Sequence, residues 1–183
     1  MCSFNGKIQI YEVENGQWGD ESVCDLEGHE SEVKSISWSP DGSLLATCGR
    51  DKAVWIWECW EDGDYECAAV ISSHSADVKD VIFHPADPIL LSTSYDMTIK
   101  VYKEVDSEWD CIQTLVGHTD TVWSAAWSPN GNRFASVGSD NCLRIWKLNE
   151  NGKYELEFNV QGEHQRNIYT VRFVNISHID ITE

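Results

Sequence analysis

One spacing constrains this chain more than anything else in it: six positions recur at fixed distances from a histidine, three times within 183 residues. From His29 the chain gives Val33, Trp38, Pro40, Thr47, Asp51 and Trp57; from His74 it gives Val78, Phe83, Pro85, Ser92, Asp96 and Tyr102. From His118 it gives Val122, Trp127, Pro129, Ser136, Asp140 and Trp146, so that the offsets are +4, +9, +11, +18, +22 and +28 in every unit. The histidines lie 45 and 44 residues apart. A fourth register opens at His164, with Ile168 at +4 and Phe173 at +9, and then stops. Units of this length cannot each bury an apolar face alone, so they must stack on their neighbours.

Inside each unit, short runs such as Val33-Lys34-Ser35-Ile36-Ser37-Trp38, Leu44-Leu45-Ala46-Thr47-Cys48 and Val54-Trp55-Ile56-Trp57 have the length and alternation of strands. Pro40-Asp41-Gly42, Pro85-Ala86-Asp87-Pro88 and Pro129-Asn130-Gly131 separate them, and such residues suit tight turns between antiparallel strands. Each unit therefore reads as a four-stranded meander. A repeat of this period with Gly28-His29, Ser73-His74 and Gly117-His118, an Asp turn and a terminal Trp57, Tyr102 or Trp146 resembles the WD40 repeat, the blade of an all-β propeller. The usual Asp after the terminal aromatic is replaced by Glu58, Lys103 and Lys147.

Ser or Thr, His and Asp recurring together are also the parts of a hydrolase triad. A triad occurs once and needs an exposed nucleophile beside an oxyanion hole, whereas here the set occurs once per unit with its hydroxyl in mid-strand. The expectation is a structural chain of hydrogen bonds linking aromatic, hydroxyl, His and Asp: Trp57, Thr47, His29 and Asp51; Tyr102, Ser92, His74 and Asp96; Trp146, Ser136, His118 and Asp140. No catalytic residue is assigned, and the chain is read as not an enzyme.

Counting strands gives a partial propeller across residues 1–173. Three blades cover about 33–71, 78–115 and 122–160, with fragments of flanking blades at 5–28 and 164–173, the latter supplying one inner strand. A divergent tail follows at 174–183. A propeller closes into a ring of four to eight blades, so three blades and two fragments make an open arc. It reads as a truncated or mis-spliced piece of a longer propeller, or as a small module that completes a ring by dimerising. An open arc is expected to expose an apolar blade face at each end and to self-associate.

A formal net charge of -18 speaks against nucleic acid and anionic membrane as partners, since both need clustered Lys and Arg. The acidic residues gather in Glu12 to Glu21, Glu58 to Glu66 and Glu104 to Asp110, and read as a solvated outer rim. The seven cysteines, Cys2, Cys24, Cys48, Cys59, Cys67, Cys111 and Cys142, contain no Cys-x-x-Cys pair and are expected to be free thiols. Cys67 and Cys111 are expected to be small buried residues of outer strands. No metal site and no cofactor is assigned. Asn175-Ile176-Ser177 matches a glycosylation sequon, but without a secretory signal it carries no weight.

The unit-specific residues carry a closer likeness. The stretches Gly28-His29-Glu30-Ser31-Glu32-Val33-Lys34-Ser35, Leu45-Ala46-Thr47-Cys48-Gly49-Arg50-Asp51-Lys52 and Ser73-His74-Ser75-Ala76-Asp77-Val78-Lys79-Asp80 resemble the cytosolic iron–sulfur protein assembly WD40 family, Ciao/Cia. So do Ser94-Tyr95-Asp96-Met97-Thr98-Ile99-Lys100-Val101-Tyr102 and Gly117-His118-Thr119-Asp120-Thr121-Val122-Trp123-Ser124. That resemblance implies a non-catalytic scaffold in a cytosolic targeting complex that hands iron–sulfur clusters to apo-proteins. It implies a small bridging subunit, a large helical-repeat adaptor and apo client proteins as partners, and recognition of client tails ending in an aromatic residue with a free carboxylate. A generic WD40 adaptor, such as a ubiquitin-ligase substrate receptor, is the alternative.

Arg50 stands in the turn before Asp51, where the other units carry Tyr95 and Ser139. By topology this turn opens on the top face, and an Arg there can hold a carboxylate through two parallel hydrogen bonds. The resemblance implies a functional role for Arg50, since it places the family's functional arginine in the same Arg-Asp-Lys context. Lys34, Lys79, Trp123 and Tyr169, each five residues past its histidine, complete the expected partner-binding rim.

Overall fold

A computed structural model describes residues 3–60 and 63–174. Its first sheet pairs β1 (Ile8–Ile10) with β4 (Cys24–Leu26), and a small hairpin of β2 (Val13–Glu14) and β3 (Gln17–Trp18) is inserted between them. Three four-stranded antiparallel meanders follow in chain order. Blade A holds β5 (Val33–Trp38), β6 (Leu44–Gly49), β7 (Val54–Cys59) and β8 (Tyr65–Ile71). Blade B holds β9 (Val78–Phe83), β10 (Ile89–Ser94), β11 (Thr98–Val105) and β12 (Glu108–Val116). Blade C holds β13 (Val122–Trp127), β14 (Arg133–Gly138), β15 (Leu143–Leu148) and β16 (Tyr154–Val160). No helix occurs among the described residues.

Burial follows the position of each strand in its blade. The second strands β6, β10 and β14 are nearly continuous buried runs, because blades cover both of their faces. The outermost strands β8, β12 and β16 are largely exposed. Three apolar clusters lie between successive sheets. Ile8 and Leu26 pack with Leu45 and Trp57; Ala46, Val54 and Ile56 with Val81, Phe83 and Leu90; Leu91, Ile99 and Val101 with Trp127, Phe134 and Trp146.

Polar links join the inner strands as well. The Asp80 carboxylate on β9 accepts from the Ser35 hydroxyl on β5 at 2.8 Å and from the Ser124 hydroxyl on β13 at 2.9 Å. One carboxylate thus ties three blades at the same offset from each repeat histidine, +6. Burial pushes its pKa above the ordinary value.

Three expectations need correction or bounding. Residues 164–173 contain no strand; they are irregular, with the Ile168 N–H bonded to the Gly138 carbonyl. A lone inner strand has no adjacent ladder to pair with, so its alternating sequence is not enough to make it one. Cys67 is exposed and Cys111 half-buried, because an outermost strand is covered on one face only. Of the divergent tail only Val174 is described; residues 175–183, with the sequon, and Cys2 lie outside the described residues. The outermost strands also leave single apolar residues exposed, such as Val70 on β8, Val116 on β12 and Phe158 on β16.

Candidate functional site at the top rim

In blade A, the Asp51 carboxylate stands 2.6 Å from His29 Nδ1, and His29 Nε2 lies 2.8 Å from the Thr47 hydroxyl, which also accepts from Trp57 Nε1–H at 3.0 Å. Blade C repeats this with Asp140, His118, Ser136 and Trp146. Blade B replaces the indole with Tyr102, whose hydroxyl meets Ser92 at 3.0 Å and Ser73 at 2.8 Å. Ser73 stands where the other units have glycine for lack of room: a Cβ on Gly28 would fall 2.5 Å from the Trp55 ring and one on Gly117 3.2 Å from Trp146. Blade B has Tyr102 in place of the indole and Lys100 in place of Trp55, so neither ring that crowds Gly28 or Gly117 stands beside Ser73. All three network hydroxyls are fully buried and engaged on both sides, which leaves none poised as a nucleophile.

The network makes stability depend on pH. Burial holds His74 and His118 below the ordinary 6.5. Burial would raise the Asp96 carboxyl, but hydrogen bonds from Thr98 and Ser75 and the pairing with His74 bring it from 3.8 to about 2. Asp51 and Asp140 are likewise lowered. Each of these groups binds protons more readily unfolded than folded, so their contribution is complete above the unfolded pKa and is lost as pH falls. Asp80, raised by burial, acts in the opposite sense. The thermal midpoint should therefore be level from pH 8 to 7, decline as pH drops below 6.5, and fall further below 3.8. Melting curves that stay level from pH 7 to pH 4 would contradict this account.

On the blade end that carries Asp51, Asp96 and Asp140, each turn is pinned in the same way: the N–H of Arg50, Tyr95 and Ser139 bonds to the carbonyl of Glu32, Asp77 and Thr121. This register sets the +21 turn residue beside the start of the inner strand, where the +5 residue stands. Of the five expected rim residues, the structure brings three into contact. Lys79 Nζ lies 3.5 Å from the Tyr95 ring centroid and 5.5 Å from that of Trp123. Tyr95 meets Trp123 edge to face at 5.5 Å, and Trp123 tilts against Tyr169 at 5.2 Å. The Trp123 indole N–H donates to the Ser139 hydroxyl at 2.6 Å, which fixes the plane of the ring. The outcome is an aromatic ladder crossing from blade B over blade C to the irregular segment, with Tyr95 and Tyr169 exposed.

Lys79 has a different role from that expected of a rim cation. Its side chain is only 9% exposed and its ammonium is paired with Asp77 at 3.2 Å. Covered by two rings and neutralised by a carboxylate, it props the ladder by cation–π attraction and is not placed to receive a partner's charge. Arg50 and Lys34 are not joined to the ladder. Arg50 is 62% exposed and reaches buried Glu32 through Nη1 at 3.3 Å, so Nε and Nη2 keep their donors free among the described contacts. Lys34 is exposed, 5.9 Å from the Phe4 ring. Tyr95 and Ser139 were missed as rim residues, although they share the +21 offset of Arg50.

The WD domain, G-beta repeat family model matches residues 20–58, 65–103 and 109–147. A Candida glabrata protein described as "Probable cytosolic iron-sulfur protein assembly protein 1" is 42% identical over 239 aligned positions, covering 95% of this chain and 71% of that protein. A Neurospora crassa protein of the same description is 39% identical over 162 positions, covering 68% of this chain and 35% of its own length. A Schizosaccharomyces pombe "Probable cytosolic Fe-S cluster assembly factor" is 45% identical over 152 positions, covering 82% of this chain and 25% of its own. The chain thus spans about a third or less of the length of several curated relatives it matches. The alignment to the Candida glabrata protein is longer than the 183 residues of the chain, so that relative carries residues inside the matched span that this chain lacks.

Proposed function

The chain belongs to the WD40 repeat family and, within it, to the cytosolic iron-sulfur protein assembly protein 1 family, and on that footing we propose that it is a non-catalytic scaffold of cytosolic iron–sulfur cluster assembly, acting through protein–protein contacts. The observation that carries this reading is the top rim: an aromatic ladder, Tyr95, Trp123 and Tyr169, on the same end of the blades as an exposed arginine. Aromatic and Arg side chains dominate the energetics of protein interfaces. The engagement of every Ser/Thr, His and Asp of the repeat set in the folded network supports binding over hydrolysis.

The partners assigned are a small bridging subunit, a large helical-repeat adaptor and apo iron–sulfur clients, in the cytosol. For the client tail, a terminal aromatic ring stacks on Trp123 and Tyr169, and the free carboxylate is received by Arg50 through Nε and Nη2. The test is fluorescence anisotropy with a labelled octapeptide ending in Trp with a free carboxylate. Trp123→Ala should weaken binding at least about tenfold, or 1.4 kcal/mol. Arg50→Ala should weaken it about as much as amidating the peptide's carboxylate does, and should then have no effect on the amidated peptide. If amidation and Arg50→Ala both leave binding unchanged, the assignment of Arg50 fails.

A further inference from the structure

The outer wall of the arc carries a second feature, visible only when the blade boundaries are compared with one another. At the boundary of blades B and C, the Gln113 side chain on β12 reaches across to the edge strand β16. Its Nε2 donates to the Tyr154 carbonyl at 2.7 Å and its Oε1 accepts the Tyr154 N–H at 2.9 Å. The carboxamide imitates a peptide group and satisfies a backbone pair that an outermost strand otherwise turns to solvent.

The boundary of blades A and B has the same construction without that plug. Gln113 pairs with Val101 and Ala69 pairs with Ile56, each one residue before the network aromatic, so Ala69 occupies the place of Gln113. Tyr154 pairs with Leu148 and Trp109 with Glu104, each two residues beyond that aromatic, so Trp109 occupies the place of Tyr154. The two aromatic rings also pack alike, Tyr154 on Trp127 and Trp109 on Phe83. A methyl group cannot bond to the outward N–H and C=O of Trp109. In place of the carboxamide there is an open cleft of about 530 Å³, lined by Ala69, Val70, Trp109 and Cys111. Glu108 and Asp110 also line it, and among the described residues no Lys or Arg does.

We propose that this cleft docks an extended segment of a partner protein that presents a glutamine carboxamide to the Trp109 backbone, flanked by Lys or Arg. Gln113 supplies the template for the carboxamide, and the carboxylates of Glu108 and Asp110 select the flanking charge. The proposal is independent of the top rim, which faces a different end of the blades.

The experiment measures amide hydrogen exchange by NMR in the full chain, with a seven-residue capped peptide as probe, alternating Lys and Val around a central Gln. In the free protein the Trp109 amide should exchange at least tenfold faster than that of Tyr154. The peptide should slow Trp109 at least tenfold, and should lose at least tenfold in affinity when its Gln is replaced by Leu or when salt is raised from 50 to 500 mM. Ala69→Gln should protect Trp109 without peptide and abolish peptide binding. Gln113→Ala should expose the Tyr154 amide, which tests the template even where Ala69→Gln fails to fold. Equal protection of Trp109 and Tyr154 in the free protein, undiminished binding to Ala69→Gln, or equal binding of the Leu peptide would overturn the proposal. Protection of Trp109 that rises with protein concentration alone would overturn it too, since a second copy would then be the occupant.

Discussion

Phe134→Ala is expected to destabilise the chain by about 4 kcal/mol, the upper part of the range for emptying a buried aromatic site. Phe134 is fully buried at the centre of the cluster between blades B and C. It meets Trp127 and Tyr154 edge to face, both at 5.3 Å, and stacks on Trp146 at 6.0 Å. Three rings would lose a common partner at once, and none of the three residues can close the space without breaking a hydrogen bond of its own: Trp146 is tied to Ser136, Tyr154 to Gln113 and Trp127 to the Ile82 carbonyl. Small domains have about 5–15 kcal/mol of stability in all, so this single change should bring the chain close to unfolding. The conservative variant has an internal precedent. The same place in blades A and B holds Leu45 and Leu90, both fully buried, so Phe134→Leu should cost only about 1 kcal/mol. Urea titration of the three proteins decides it: an alanine variant within 1 kcal/mol of the parent, or a leucine variant as damaged as the alanine one, would refute the packing account.

Gly131→Ala should come next, at about 2–4 kcal/mol, and the reason lies in the neighbouring blade. Gly131 sits in the β13–β14 turn at φ +70, where an L side chain costs about 1–2 kcal/mol from backbone geometry alone. A Cβ there would also collide with the His84 imidazole of blade B. That ring cannot swing away cheaply. Its Nδ1 accepts the N–H groups of Ala86 and Asp87 at 3.2 and 2.9 Å, and its ring meets that of Trp127 in a T-shaped contact at 4.7 Å. Gly42 is the matched control: it holds the same turn position in blade A at φ +76, with nothing within 4 Å of an added Cβ. Gly42→Ala should therefore cost only the conformational part. His84 stands where the other blades have Ser39 and Ser128, so His84→Ser should recover most of the extra loss in the Gly131→Ala background, measured as a double-mutant cycle in urea. Equal costs at Gly42 and Gly131 would show that the collision relaxes freely.

The two predictions separate what could be read in the sequence from what could not. The repeat of six offsets declared the meanders and the chain of aromatic, hydroxyl, His and Asp, because each of those contacts joins residues of one unit at a fixed separation. The same offsets also set Arg50, Lys79, Trp123 and Tyr169 at one end of the blades. Nothing in that periodicity says which of them touch. Tyr95 packs on Trp123 of the next blade, Lys79 is spent between Asp77 and two rings, and Arg50 stands apart with Glu32. The same limit explains why Ile168 to Phe173 alternates like a strand without forming one, and why Cys67 is exposed.

What the amino-acid sequence determined by itself was therefore the blade: its strands, its turns and its internal hydrogen-bond network, all set by local alternation and a repeated spacing. What only the tertiary structure decided was every relation between blades: the Asp80 clasp, the aromatic ladder, the pressing of His84 on Gly131, and the carboxamide that fills one outer boundary and not the other. The physical reason is that these contacts form where two different units meet. Their partners are side chains that depart from the repeat, at separations of 41 to 46 residues for Gln113 and Tyr154, Ser35 and Asp80, or Trp123 and Tyr169, and a repeating pattern carries no record of how its exceptions fit together.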